Sequence, residues 1–137
     1  MMFYLACPYT HSDATIQKYR YRQSCRAASR LMQQGIGVFS PLANSIPAIE
    51  FGGLELEHDG FMNLDLPILR RCDEVVVLAL PDWKASVGVR REMLEAFLHR
   101  KPVVIIAEHE IELLPDVLKT APRFSMDATA YLPEIIF

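Results

Sequence analysis

Few features of this chain place it quickly, and what is scarce is informative. Only three cysteines occur, Cys7, Cys25 and Cys72, widely spaced and odd in number. That excludes a disulfide framework and any recognisable metal-ligand spacing. Cys25 and Cys72 read as buried reduced thiols, whereas Cys7 ends a strand and faces a cleft. The four histidines form no metal pattern either. Glycine is scarce, with six residues. No G-x-G-x-x-G follows the first strand and no Walker loop exists, so a nicotinamide or ATP enzyme is disfavoured and no cofactor or metal is expected. Basic charge is not in excess: the net charge is −3 and the pI about 5.8. A general nucleic-acid binder would be basic, so no nucleic-acid partner is expected. No apolar run approaches a membrane span, and the opening MMFYLACPYT lacks a charged n-region. The expectation is therefore a cytoplasmic protein with no membrane partner.

What is present is an alternation of strands and helices over a length suited to one domain, residues 1–137. Phe3 to Cys7 reads as a first strand stopped by Pro8. Asp13 to Gln34 reads as a long helix, with Tyr21, Cys25, Ala28 and Met32 at helical spacing. Arg22, Arg26 and Arg30 form a basic stripe opposite, read as a solvated face rather than a phosphate-facing one. Gly37 to Ser40 is a short second strand. Pro41 to Gly53 reads as a loop, long enough for a lid. Leu54 to Cys72 is helical, broken or kinked near Pro67. Val75 to Leu80 is an apolar strand, Ser86 to Arg100 a helix, and Val103 to Ala107 another buried strand. A helix around Ile111 to Thr120 and a short strand from Arg123 to Met126 complete the series. The tail, Pro133 to Phe137, is apolar and is expected to dock on this core or on a neighbouring subunit. This pattern predicts an α/β fold: a doubly wound, Rossmann-like or flavodoxin-like parallel sheet of about five strands in the order 2-1-3-4-5. Such a sheet binds ligands outside the carboxyl ends of its strands. Cys7 to Thr10, Ser40 to Ser45 and Leu80 to Ser86 would surround that crevice.

The segment Ser86-Val87-Gly88-Val89-Arg90-Arg91-Glu92 carries the most chemistry. It follows an apolar strand and opens a helix. Ser86 would cap that helix, and Gly88 removes a side chain where a ligand could approach the backbone. At about 100° per residue, Val89, Met93, Ala96 and Phe97 form the apolar face, with Glu92 at its edge and Arg91 and Glu95 pointing away. A half-shielded carboxylate at Glu92 suits a nucleophile or a general base. Taken alone, it also suits a plain helix residue near a positive helix end. Asp65 and Asp73 stand eight residues apart. Asp73 precedes a buried strand and would satisfy backbone groups there. Asp65 has two readings: the N-cap of a helix starting near Pro67, or, if the helix runs through, a carboxylate aimed at the crevice. Glu92 and Asp65 together would make the minimal pair for glycosidic cleavage. Tyr4 is either a core ring or a hydroxyl that orients Glu92. Tyr9, Phe39 and Trp83, near strand ends, serve equally as packing or as a stacking surface for a base.

Taken together, Tyr4-Leu5-Ala6-Cys7-Pro8, the Asp65 and Asp73 pair, and Ser86-x-Gly88-x-x-x-Glu92 resemble the nucleoside 2-deoxyribosyltransferase superfamily. The stretches LACPYTHSD, FSPLANSIP and LPDWKASVGVRREM resemble, more closely, a small bacterial family of unknown function within it. The likeness extends to about Ala107. It implies that Glu92 attacks C1′ of a ribosyl or deoxyribosyl unit, that Asp65 exchanges a proton with the base, and that Tyr4 orients the glutamate. A second base or water would finish the reaction, making a transferase or a hydrolase. Transferases of the superfamily carry aspartate at the position of Ser86. Relatives that hydrolyse nucleoside 5′-monophosphates carry serine there, near the phosphate, with Gly88 beside it. Those hydrolases also have an arginine after the first strand, where this chain has Pro8-Tyr9-Thr10-His11. The implied substrate is thus a nucleoside or nucleotide, contacted by Cys7, Pro8, Tyr9, Ser40, Trp83, Ser86 and Gly88. A homo-oligomer is implied, because neighbouring subunits often complete such sites. Two other readings remain open: a non-catalytic module binding a nucleotide or nucleotide-sugar, and a glycohydrolase of a larger ribosyl compound such as NAD.

Overall fold

A computed structural model describes residues 1–125 of the chain. Its framework is four strands, β1 (Met2–Ala6), β2 (Gly37–Phe39), β3 (Glu74–Ala79) and β4 (Val103–Ala107). All pair in parallel, in the order β2-β1-β3-β4. Apolar residues at nearly every position let both faces of this sheet be covered. The two-residue period then divides the core. Tyr4, Ala6, Val75 and Val77 pack on one face against α3 (His58–Arg71) and α4 (Val87–Leu98). Phe3, Leu5, Val76, Leu78 and Ile106 pack on the other against α1 (Ala14–Gln33). Asp73 accepts a hydrogen bond from the Met2 N–H at 2.7 Å, so it serves a backbone group, as expected, but at the entry to the neighbouring β1 and not at the strand it precedes.

The α/β class and the 2-1-3-4 order agree with the sequence. Among the described residues no fifth strand forms as such. Phe124 makes a single antiparallel bridge to Val103, and Met126 lies outside the described residues. The tail Pro133 to Phe137 lies outside them too. The helix expected over Ile111 to Thr120 is two 3₁₀ turns, Glu108–Leu113 and Asp116–Lys119, because Pro115 interrupts the hydrogen-bond ladder.

Three further corrections bear on the site. The expected loop from Pro41 to Gly53 is a helix, α2 (Pro41–Gly52). The Ser40 hydroxyl caps it by accepting from the Ala43 N–H at 3.2 Å, and Pro41 occupies the first turn, where its missing donor costs nothing. Gly53, with φ of 70°, ends it in the left-handed region. The helix holding Asp65 runs through Pro67 from His58 to Arg71. The carbonyl that Pro67 cannot serve belongs to Asn63, which is exposed to water. Asp65 is therefore an interior helix residue, not an N-cap. Finally, α1 is rotated from its expected setting. Its buried stripe is Ser24, Ala27, Ala28 and Leu31, whereas Met32 is exposed and Tyr21 and Cys25 are half-buried. Adjacent small alanines let this stripe approach the sheet closely. The basic stripe is not simply solvated: Arg26 pairs with Glu112, and Arg30 donates to the Glu112 and Leu114 carbonyls.

Candidate active site

The carboxyl ends of β1 and β3 open into a cavity of about 700 Å³, bounded by α2, α3 and the start of α4. A parallel sheet of this order has its crossover switch between β1 and β3, so a crevice must form there. Glu92, in the second turn of α4, lines the cavity although it is only 4% exposed. Its depth follows from the helix start. The Ser86 hydroxyl accepts from the Val89 N–H at 3.2 Å, which fixes where α4 begins and turns Val89, Met93, Ala96 and Phe97 into the core. Glu92 sits beside that apolar stripe. Tyr4 projects from β1 on the same side of the sheet, and its hydroxyl donates to Glu92 Oε2. The Tyr4 ring is itself held against Phe39, centroids 5.8 Å apart. Asp65 reaches the cavity from the buried face of α3, 7% exposed.

Burial sets the electrostatics. Desolvation pushes Glu92 up to about 8 from an ordinary 4.5, the Asp65 charge adds to the rise, and the Tyr4 hydroxyl opposes it. Burial pushes Asp65 up to about 6. The pair therefore holds one proton across a window around neutrality, and the two titrations belong to the pair. Tyr4 is driven far above the ordinary phenol range, first by burial and then by Glu92, so it stays a neutral donor. The Cys7 thiol is likewise raised well above its usual range by burial and Glu92. It donates weakly to the Pro8 and Arg20 carbonyls and is no thiolate nucleophile. Among the described residues no group of three or more His, Cys, Asp or Glu side chains is placed to hold a metal ion.

Of the residues singled out from sequence, Glu92, Asp65, Cys7, Tyr9, Ser86 and Gly88 line the cavity. Tyr4 touches it through Glu92. Three do not line it. Pro8 is buried behind the β1 loop, Ser40 is spent capping α2, and Trp83 packs on the core with the Lys84 ammonium 5.7 Å above its ring. A side chain added at Gly88 would meet His58 Cε1 at 3.8 Å and Met62 Cε at 4.0 Å, which is ordinary contact. Glu95, expected to point outward, is buried and paired with Arg70 at 2.6 Å and His99 at 3.2 Å. Sequence reasoning missed the wall formed by Leu42, Ile46 and Ile49 of α2 and by Phe61 and Met62 of α3. The signal was present as a Ser-Pro helix start and an i, i+4, i+7 apolar spacing, hidden by Pro47.

The parallel sheet, its strand order and its flanking helices define the nucleoside 2-deoxyribosyltransferase fold. Within it, the chain belongs to the family described as Domain of unknown function (DUF1937), which matches residues 1–108. The chain is similar to a 2-deoxyribosyltransferase from Bacillus psychrosaccharolyticus, with 19% identity over 99% of this chain and 90% of that one, at a TM-score of 0.59. It is similar to the CMP N-glycosidase BcmB of Clostridium botulinum, 14% identical over 83% and 82% of the two chains, at 0.53. It is also similar to BlsM, known from a solution structure, with 20% identity over 98% and 86%, at 0.55. At these identities the likeness is one of fold. No curated protein matches the sequence significantly. No helix among the described residues is long and apolar enough to cross a membrane.

Proposed function

We propose that the protein cleaves the N-glycosidic bond of a nucleoside or nucleoside 5′-monophosphate through a covalent glycosyl-Glu92 intermediate. The observation that carries this reading is the placement of a buried glutamate, held by the Tyr4 hydroxyl, in the same cavity as a second carboxyl, Asp65. The likeness in fold to a 2-deoxyribosyltransferase and a CMP N-glycosidase supports it.

In the first step the Glu92 carboxylate attacks C1′. The C1′–N bond breaks, its electron pair goes to the base, and the base takes the Asp65 proton. In the second, the Asp65 carboxylate takes a proton from water. The hydroxide then attacks C1′ and releases free sugar and Glu92. A second base in place of water gives a new nucleoside. Tyr4 keeps the reacting oxygen in place and offers its hydrogen bond preferentially to the ionised carboxylate. The enzyme needs Glu92 ionised and Asp65 protonated, which is a one-proton state of the pair. The pH profile of kcat/KM is therefore bell-shaped, with limbs near 6 and 8. Below the lower limb no carboxylate is available, and above the upper limb no acid is.

One observation favours a second reading. With burial pushing Glu92 up to about 8 and Asp65 up to about 6, the proton that the pair holds near neutrality rests mainly on Glu92, the carboxyl that would have to attack, as suits a pocket that binds and does not react. Chromatography of products from a panel of ribo- and deoxyribonucleosides and their 5′-monophosphates, with and without a second base, separates the two. Free base or a new nucleoside supports the enzyme. Thermal stabilisation by a panel member with no product from any supports the binding module.

A further inference from the structure

The cavity has two kinds of lining. Glu92, Asp65 and the Ser86–Gly88 helix start bring polar groups to it, and α2 and α3 add a run of apolar side chains. Leu42, Ile46 and Ile49 recur at i, i+4 and i+7 and present one stripe of α2 to the cavity. Phe61 and Met62 stand four and three residues before Asp65, so they share its face of α3, and the Met62 methyl reaches the α4 start beside Gly88. Leu56, between α2 and α3 in the chain, lines the cavity as well. Ile49 and Leu56 are partly open to solvent on the cavity side of the protein, so a ligand in the cavity can reach them. Among the described residues no lysine or arginine lines the cavity, and residues 126–137 contain none. The acidic side chains lining the cavity are Asp65 and Glu92, and the exposed His58 lines it too.

Resting on the glycosidic reading above, we infer that the substrate is an uncharged nucleoside whose base carries an apolar substituent, an alkyl or aryl group on an exocyclic amine. With C1′ at Glu92 and the leaving base at Asp65, the base must continue along the α3 face past Met62 and Phe61. A substituent there fills the chamber between α2 and α3. An unsubstituted base leaves that apolar wall facing water. Each buried methylene contributes about 0.8 kcal/mol, so two or three already give about a tenfold gain or more in affinity. A phosphate would bring negative charge towards a carboxyl pair that keeps one charge near neutrality, and among the described residues no guanidinium or ammonium lines the cavity to receive it.

Calorimetric titration of the full chain with 2′-deoxyadenosine, its N6-benzyl derivative and its 5′-monophosphate tests this. The benzyl derivative is expected to bind at least about tenfold more tightly than the parent, and the monophosphate more weakly. Ile49→Gln, at a partly exposed position, and Phe61→Ser are each expected to reduce the benzyl advantage to below about threefold, with folding checked by thermal midpoint. Equal or weaker binding of the benzyl derivative, or no binding of any of the three, overturns the assignment. So does tighter binding of the monophosphate. Base release is scored separately. A benzyl preference in affinity with no base released contradicts glycosidic cleavage and leaves the chamber standing. Base released without any benzyl preference does the reverse.

Discussion

Glu92 and Glu95 stand one turn apart on the same helix, and each is 4% exposed. Burial alone does not tell them apart; their partners do. Glu95 meets the Arg70 guanidinium at 2.6 Å and the His99 imidazole at 3.2 Å, so its buried carboxyl is spent on two structural partners. Glu92 meets a tyrosine hydroxyl, a second carboxyl and an open cavity. A carboxyl kept without a cation in a pocket is a candidate for chemistry, the role proposed above for Glu92. The proposal thus gives two equally buried acids of one helix different tasks.

The largest expected effect breaks this pair by substituting each member. Glu92→Gln should lower base release by at least about a thousandfold, since no carboxylate remains to attack C1′. Glu95→Gln should leave it within about threefold, since Glu95 touches nothing in the cavity. Initial rates on the best substrate of the panel measure both. Tyr4→Phe comes next, with an expected loss of about ten- to a hundredfold in kcat. Because the Tyr4 hydroxyl lowers the Glu92 titration, its removal should also move the upper limb of the pH profile upward. A tyrosine that merely filled the core would leave that limb in place.

Stability sharpens the comparison from the other side. In the fold Glu92 titrates at about 8, against an ordinary 4.5. Between those values the folded state holds a proton that the unfolded chain has released. The contribution is therefore fully present below about 4.5 and is lost as pH rises through about 8. Wild type should lose more Tm than Glu92→Gln between pH 5 and 9, and Glu92→Gln should be the more stable at the upper end by several degrees in a thermal melt. Arg70→Ala should instead destabilise at neutral pH by about 1–2 kcal/mol in urea unfolding. It strands Glu95, although Arg70 is partly exposed and His99 remains. The smallest effect is Gly88→Ala. Its methyl group fits beside His58 and Met62, so Tm should hold within about 1–2 °C while KM rises, as kinetics on the same substrate would record.

Much of the fold was legible because parallel strands are apolar at consecutive positions and helices announce their starts. Val75 to Leu80, Ser86 and Asp13 all behave as their residue types require. Glu92 was legible for the same reason, since a cap and an apolar stripe fix its angle on α4. Asp65 was open between two readings because the cost of Pro67 depends on whether the orphaned carbonyl, on Asn63, can reach water. Only the fold decides that. The apolar wall was hidden by a prior: two prolines, an asparagine and two glycines within Pro41 to Gly53 outweighed a real aliphatic period. Ser40 and Trp83 were assigned to the crevice by nearness to strand ends. Ser40 turned to a backbone N–H and Trp83 to the core, and nearness along the chain cannot show which way a side chain turns. Glu95 was misplaced because its cationic partner, Arg70, lies 25 residues away in sequence.

The central claim is that Glu92, and no other group, bonds to the sugar. The most direct test is mass spectrometry of the quenched protein after incubation with a 2′-deoxy-2′-fluoroarabinosyl nucleoside, whose fluorine slows breakdown of a glycosyl ester. The account predicts one equivalent of base released and one fluorosugar carried on the peptide containing Glu92, absent in Glu92→Gln. Base release accompanied by an unmodified Glu92, or by a sugar carried on Asp65 instead, would contradict it.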